Sequence, residues 1–135
     1  KADNSKSLYW WTQAAQRGNA RAQFNLSIYY NTIQQDFSQR LYWLNEAAKN
    51  GHDIAQNALG ELYLDGDGVK QDYKIAAYWF GQSAKNGYAH GQYSLGICYA
   101  NGIGVEQSTA NARYWFEAAA KQGHKYAAKE LKRLR

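Results

Sequence analysis

The sequence predicts an all-α fold, a right-handed α-solenoid of antiparallel helix pairs. Three observations carry this. First, a marker of the form Ala/Ser-Ala-x-x-Gly recurs, ending at Gly18, Gly51, Gly87 and Gly123, with spacings of 33, 36 and 36 residues. Self-similarity at such a period marks stacked supersecondary units. Second, other residues keep fixed distances from these glycines. Trp10, Trp43, Trp79 and Trp115 stand eight residues before them, each preceded by Tyr9, Tyr42, Tyr78 or Tyr114. Leu26, Leu59, Leu95 and Leu131 stand eight residues after; Tyr30, Tyr63 and Tyr99 stand twelve after, with Arg135 in that place at the end. Third, the intervening apolar residues follow helical spacing, as in Ile75, Ala76, Trp79, Phe80, Ser83 and Ala84. Neither helix of such a unit buries a closed face alone, so neighbouring units must stack.

Two helix types alternate: type A follows a repeat glycine and type B ends at one. The chain opens in a B helix over about 4–17, with Asp3 as its N-cap. Further B helices are expected at about 37–50, 73–86 and 109–122, capped by Asp36, Asp72 and Ser108, whose side chains accept orphan backbone N–H groups. Each ends at its glycine, which tolerates the left-handed conformation just past the last turn. A helices are expected at about 20–31, 53–65, 89–101 and 125–134. Gly66 and Gly68 break the second of them, and Val69 returns the turn to the core. The first connection, residues 31–35, is three residues shorter and lacks the glycine pair, so it must take another path. The basic helix 125–134 reads as a polar cap. The whole is one domain, 1–135, made of a partial repeat 1–18, repeats at about 19–51, 52–87 and 88–123, and a terminal helix 124–135.

Composition narrows the class. With 45% hydrophobic and 20% charged residues, the chain is a folded protein and not a disordered one. No apolar run approaches the roughly 18 residues of a membrane span. The chain contains no Met, which marks it as a processed product or an excised piece, so its lack of a leader segment says nothing about export. Cys98 is the sole cysteine; it excludes an intrachain disulfide, and its place, held by Leu62 one repeat earlier, predicts burial. The net charge of +5 comes entirely from residues 121–135, where six basic residues face Glu130 alone. The remainder is neutral overall, which argues against an extended nucleic-acid track.

Motifs for chemistry are few. Asp65-Gly-Asp67-Gly68 resembles the opening of a calcium loop, but Val69 and Ala76 stand where the template needs ligands and Lys70 where it needs glycine, so it is a structural turn. His52, His90 and His124 fall at helix starts on successive repeats and are expected to be exposed, with no shared carboxylate. No phosphate loop and no nucleophile elbow occurs, and nothing proposes a catalytic residue, a metal or another cofactor. The recurring Tyr-Trp pairs, and Trp11 at the place of Leu44, Phe80 and Phe116, are expected to pack between helices in preference to forming a base-stacking platform.

Ala55, Leu59-Gly60, Tyr63, Gly66-x-Gly68-Val69, Asp72, Ala76, Trp79-Phe80, Ala84 and Gly87 recur in the next copy as Leu95-Gly96, Tyr99, Gly102-x-Gly104-Val105, Ala112, Trp115-Phe116, Ala119-Ala120 and Gly123. This pattern resembles the Sel1-like repeat, a relative of the tetratricopeptide repeat, over essentially the whole chain. The resemblance implies a non-enzymatic scaffold for protein complexes. Bacterial members are frequently exported or envelope-associated, and some are immunity proteins against secreted toxins or regulators, so the resemblance favours a periplasmic or secreted location over a cytoplasmic one. Members stapled by disulfides differ from this chain, which has no cysteine pair.

Comparison of the copies separates scaffold from site. On A helices, positions 4, 8, 11 and 12 after the glycine are alike and share one face, whereas positions 3, 6, 10 and 13 vary. The varying stripe is Arg21, Phe24, Ile28 and Asn31, then Ile54, Asn57, Glu61 and Leu64, then His90, Tyr93, Ile97 and Ala100. It is the candidate surface for a partner protein, with Phe24 and Tyr93 as aromatic anchors on the concave wall that A helices line in such solenoids. Ile28, Ile54 and Ile97 either contact that partner or pack between adjacent A helices. Two other readings stand beside it: a small-ligand or hydrolytic site in the groove, and nucleic-acid binding through the basic C-terminal helix.

Overall fold

The computed structural model describes residues 4–134, with the backbone alone for Asn4. The expected Asp3 cap and Arg135 lie outside the described residues. Eight helices follow one another: α1 (Asn4–Gln16), α2 (Ala20–Thr32), α3 (Phe37–Lys49), α4 (Asp53–Asp65), α5 (Tyr73–Lys85), α6 (Ala89–Asn101), α7 (Thr109–Lys121) and α8 (Lys125–Arg133). The described residues contain no strand. The odd-numbered helices are type B and the even-numbered ones type A, and each packs on its neighbours in sequence. The protein is an all-α solenoid.

Local chemistry sets the boundaries. Asp36, Asp72 and Ser108 each accept the backbone N–H three residues on, at 3.1 Å, and so start α3, α5 and α7. Those helices end at Asn50, Asn86 and Gln122, and the following Gly51, Gly87 and Gly123 take φ near +90°, which a side chain would resist. The A helices start one residue later. Asn19 accepts the Ala22 N–H at 2.8 Å, and the Nδ1 atoms of His52 and His124 accept those of Ala55 and Ala127 at 3.2 and 3.1 Å. Tyr88 holds the same place before α6 and makes no such bond. The short first connection does take its own path: α2 is followed by Ile33, and Gln35 adopts a positive φ of 52°.

Two devices fix how helices pack. In the central units a glycine on helix A faces a phenylalanine on helix B. A Cβ built on Gly60 would lie 2.7 Å from the Phe80 ring, and one on Gly96 2.6 Å from that of Phe116. Both rings are buried, and the bare backbone opposite is what lets the helices approach. Ser27 and Leu44 hold the corresponding places in the preceding unit. The second device is polar. Gln23, Gln56 and Gln92, all buried, donate through Nε2 to the carbonyl oxygens of Ala15, Ala48 and Ala84 on the preceding B helix, at 3.0, 3.0 and 3.3 Å. Their Oε1 atoms accept from Asn50, Asn86 and Gln122 at the end of the next B helix, at 2.9, 2.8 and 3.0 Å. Each A helix is thereby tied to both flanking B helices, and these buried amides have their partners.

The apolar core runs as a series of clusters. Leu44, Ala47, Ala48, Ala55, Leu59 and Leu62 form one, with Val69 and Trp79 packed against it; Ala76, Ala77, Phe80, Ala84, Leu95 and Cys98 form the next, with Val105 and Trp115. Cys98 is buried as expected, and burial pushes its thiol up to about 11. The expectation that both members of each Tyr-Trp pair are core fails for the tyrosines. Tyr42, Tyr78 and Tyr114 are 54–62% exposed, and each stands edge-on to its tryptophan at 4.9–5.0 Å. Consecutive helical residues point about 100° apart, so only one of the two can face the core. Trp43 is buried and Trp79 and Trp115 are half-buried, whereas Trp10 is 62% exposed.

Candidate functional site

Along the A helices lie three hollows in one register. The C-terminal hollow has a volume of about 240 Å³. Its walls are Glu61 and Leu64 of α4 and His90, Tyr93, Ser94, Ile97 and Cys98 of α6; Phe80 of α5 is its floor and Ile103 its rim. The middle hollow, about 180 Å³, has Phe24, Ser27, Ile28 and Asn31 of α2 as one wall, Ala58 of α4 as the other, and Leu44 and Arg40 of α3 between them. The N-terminal hollow, about 250 Å³, is lined by Trp11 of α1 with Asn25, Ile28, Tyr29, Thr32 and Ile33. Trp11, Leu44 and Phe80 are equivalent floors, and Asn25, Ala58 and Ser94 equivalent wall positions. The repeat thus builds these hollows in one register and lines each with different residues.

The stripe read from the sequence is spread unevenly over this surface. Phe24, Ile28, Glu61, Leu64, His90, Tyr93 and Ile97 line hollows. Arg21 and Ile54 are exposed but line none of the three. Asn57 needs correction as a contact residue: it is 4% exposed and accepts from Ser94 Oγ at 3.1 Å, so its amide links α4 to α6 and presents no surface. Of the three isoleucines, Ile28 and Ile54 are exposed, whereas Ile97 packs on the core cluster of α7 and α8. Tyr93 is half-buried and does two jobs, packing on Phe116 at 5.9 Å and stacking on His124 at 4.6 Å. Its aromatic equivalent Phe24 stacks on His52 at 4.4 Å in the same way.

The histidines depart from expectation. None of the three is fully exposed, and two of them meet: His90 Nδ1 lies 3.1 Å from His124 Nε2. His124 Nδ1 already accepts the Ala127 N–H, so the neutral ring carries its proton on Nε2 and donates it to His90. This leaves the His90 proton on Nε2, which faces the Glu61 carboxylate at 3.6 Å, ion-pair rather than hydrogen-bond range. Helix spacing by repeat length hides this contact, because it joins an N-cap to the second residue of the preceding A helix. The Phe24–His52 stack joins an A helix to the cap of the next one in the same way two junctions earlier. Among the described residues no group of three or more His, Cys, Asp and Glu side chains converges to hold a metal ion.

Burial, with Arg21 adding and Asp53 opposing, lowers the pKa of His52, and burial together with His90 lowers that of His124. Each ring caps its helix only when neutral. The folded state therefore resists protonation more than the unfolded chain does, and stability is lost as pH falls below the unfolded value of about 6.5. Unfolding midpoints should fall between pH 7 and 5. The pair of changes His52→Asn and His124→Asn should flatten that slope, since an Asn caps without titrating, as Asn19 already does before α2. An unchanged slope in the double variant would refute the assignment.

This arrangement, helix pairs in register with differently lined hollows between them, defines a helical-repeat protein. The Sel1 repeat family matches residues 1–19, 20–52, 53–88 and 89–124. The chain belongs to the Sel1 repeat family, whose members are in general scaffolds for protein–protein interaction. Solved structures agree. A Sel1 repeat protein from Oxalobacter formigenes is 37% identical, with a TM-score of 0.88, over 93% of this chain and 96% of that one. A protective antigen of uropathogenic Escherichia coli strains, displaying an SLR fold, is 35% identical with a TM-score of 0.81 over 89% of this chain, which spans 26% of that longer protein. Helicobacter pylori cysteine rich protein B, 21% identical with a TM-score of 0.75 over 94% of this chain and 93% of that one, shares the fold. No curated protein matches the chain.

Proposed function

We propose that the chain is a non-catalytic scaffold that holds a partner protein along its A-helix face, seating one partner side chain in each hollow. The observation that carries this reading is the row of register-equivalent hollows lined by the residues that vary between copies. Scaffold positions recur because every junction needs them; lining positions are free to fit a partner. The C-terminal hollow, apolar inside with Glu61 and His90 at the edge, suits an apolar side chain next to a polar one. The family's habits make an immunity protein against a secreted toxin or an exported envelope or secretion adaptor the favoured roles.

Glu61 and Ile28 test this without disturbing the core, since both are exposed. Glu61→Arg with Ile28→Lys should abolish capture of the partner that the unaltered chain retains from its source cells, and should leave the unfolding midpoint nearly unchanged. Tyr78→Lys, on the exposed B-helix face, should capture normally. Equal capture by all three proteins would remove the A-helix face as the binding surface.

A further inference from the structure

A fourth hollow lies on the B-helix side, between α5, α6 and α7. Its volume is about 320 Å³, and it shares no lining residue with the three hollows of the A-helix face. Ala77 and Leu95, both buried, form its floor. Tyr78, Tyr99 and Trp115 are its walls. Lys74 and Lys85 of α5 stand exposed at its edge, and no carboxylate lines it.

Gly81 sets this space apart from a gap between helices. It is the ninth of the thirteen residues of α5, and a glycine inside a helix weakens it. Gly60 and Gly96 are needed because a phenylalanine ring lies against each, whereas a Cβ on Gly81 would meet nothing within 4 Å. Packing therefore does not require it. Thr12, Asn45 and Glu117 hold its place in the other B helices. Thr12 and Asn45 turn back on their own helices, donating to the Leu8 and Leu41 carbonyls at 2.7 and 2.9 Å. In α5 the same volume is open and belongs to the hollow.

Charge departs from the repeat at the same place. In α3, Lys49 pairs with Glu46 at 3.6 Å. The lysine recurs in α5 as Lys85, but Gln82 replaces the glutamate, and Lys74 stands where α3 has Ser38. Among the described residues neither lysine makes an ion pair. The hollow thus has two cations and no anion, beside an apolar floor opened by a residue that packing does not demand.

We propose that this hollow binds a small aromatic anion, its ring between Tyr78 and Trp115 over Ala77 and Leu95, its anionic group held by Lys74 and Lys85. The rings offer flat apolar surface, and the lysines offer charge on flexible stems. The volume lies at the lower end of the roughly 300–1,000 Å³ of small-molecule sites, which suits one or two fused rings.

The probe is 2-naphthyl phosphate, with 2-naphthol and inorganic phosphate as its two halves. By titration calorimetry it should bind one-to-one with a micromolar Kd, more tightly at low salt. Each half alone should bind many-fold more weakly. Gly81→Asn with Gln82→Glu gives α5 the residues of α3. That pair should abolish binding without lowering the unfolding midpoint, since glycine is the poorer helix former. Lys74→Gln with Lys85→Gln should weaken the naphthyl phosphate several-fold and leave 2-naphthol unchanged. Glu61→Arg with Ile28→Lys, on the A-helix face, should alter neither. Absence of saturable binding below millimolar concentration, or undiminished binding in the Gly81→Asn, Gln82→Glu variant, would overturn the proposal. So would a half that binds as tightly as the whole, which would mean an apolar crevice or an adventitious ion only. Binding to phosphatidylglycerol vesicles that the lysine changes abolish, with none of the soluble anion, would overturn it too, since the lysines would then face a lipid surface.

Discussion

Phe80→Ala is expected to destabilise the protein by about 3–5 kcal/mol, measured by chemical denaturation. The ring is 2% exposed and lies against Gly60, which has no side chain to move into the space left behind. Large-to-small changes cost most where the surroundings cannot collapse, and here one wall is backbone. The ring also joins α5 to α4 at the centre of the stack, so losing it weakens the contact between two halves of a quasi-one-dimensional fold. Tyr78→Ala, two residues away, is the comparison. Tyr78 recurs in every repeat, more faithfully than the phenylalanine position, yet it is 57% exposed and should cost only a few tenths of a kcal/mol beyond its edge contact with Trp79. Equal losses for the two variants would contradict the packing described.

Gln56→Ala should cost about 1–3 kcal/mol, a large effect for a polar side chain on a helix. Its amide is buried and satisfies two groups at once, the Ala48 carbonyl at 3.0 Å and the Asn86 side chain at 2.8 Å. Deletion removes both bonds; the carbonyl keeps only the backbone N–H of Gly51 at 3.1 Å, while Asn86, which is exposed, can turn to water. A double-mutant cycle of Gln56→Ala with Asn86→Ala should show coupling of about 0.5 kcal/mol or more. Additive losses would mean that the two amides do not act together.

Much of the architecture was legible because a repeat compares itself. Caps, glycine ends, helix spans and the burial of Cys98 follow from local chemistry read at fixed spacing, and the structure places helix boundaries within a residue or so of the expected ones. The misses have physical reasons. Tyr78 recurs as regularly as Trp79, and recurrence alone cannot say which of two adjacent helical residues turns inward. Asn57 varies between copies, as a contact residue should, but it varies because it fits one internal partner, Ser94. The His90–His124 contact crosses a junction, where only the angle between two A helices decides which side chains meet. The glutamine tie could have been found: Gln23, Gln56 and Gln92 stand five residues after successive repeat glycines, and Asn50, Asn86 and Gln122 one residue before the next. A polar residue kept at the same buried register in each copy signals a paired bond.

The glutamine tie bears on how genes of this kind can change length. Gln56 and Gln92 make the same two bonds to equivalent neighbours. Loss of the segment 53–88 would therefore bring Gln92 against the Ala48 carbonyl with Gln122 still donating to it, and duplication of that segment would insert a unit already matched on both sides. Unequal recombination at the period of 36 residues yields a chain whose joints need no second mutation to fit. The middle and C-terminal hollows follow the same rule in reverse, because each is lined from two successive A helices. Every such event creates one hollow with a new pair of walls, so the gene can sample new binding surfaces in single steps while its scaffold stays intact.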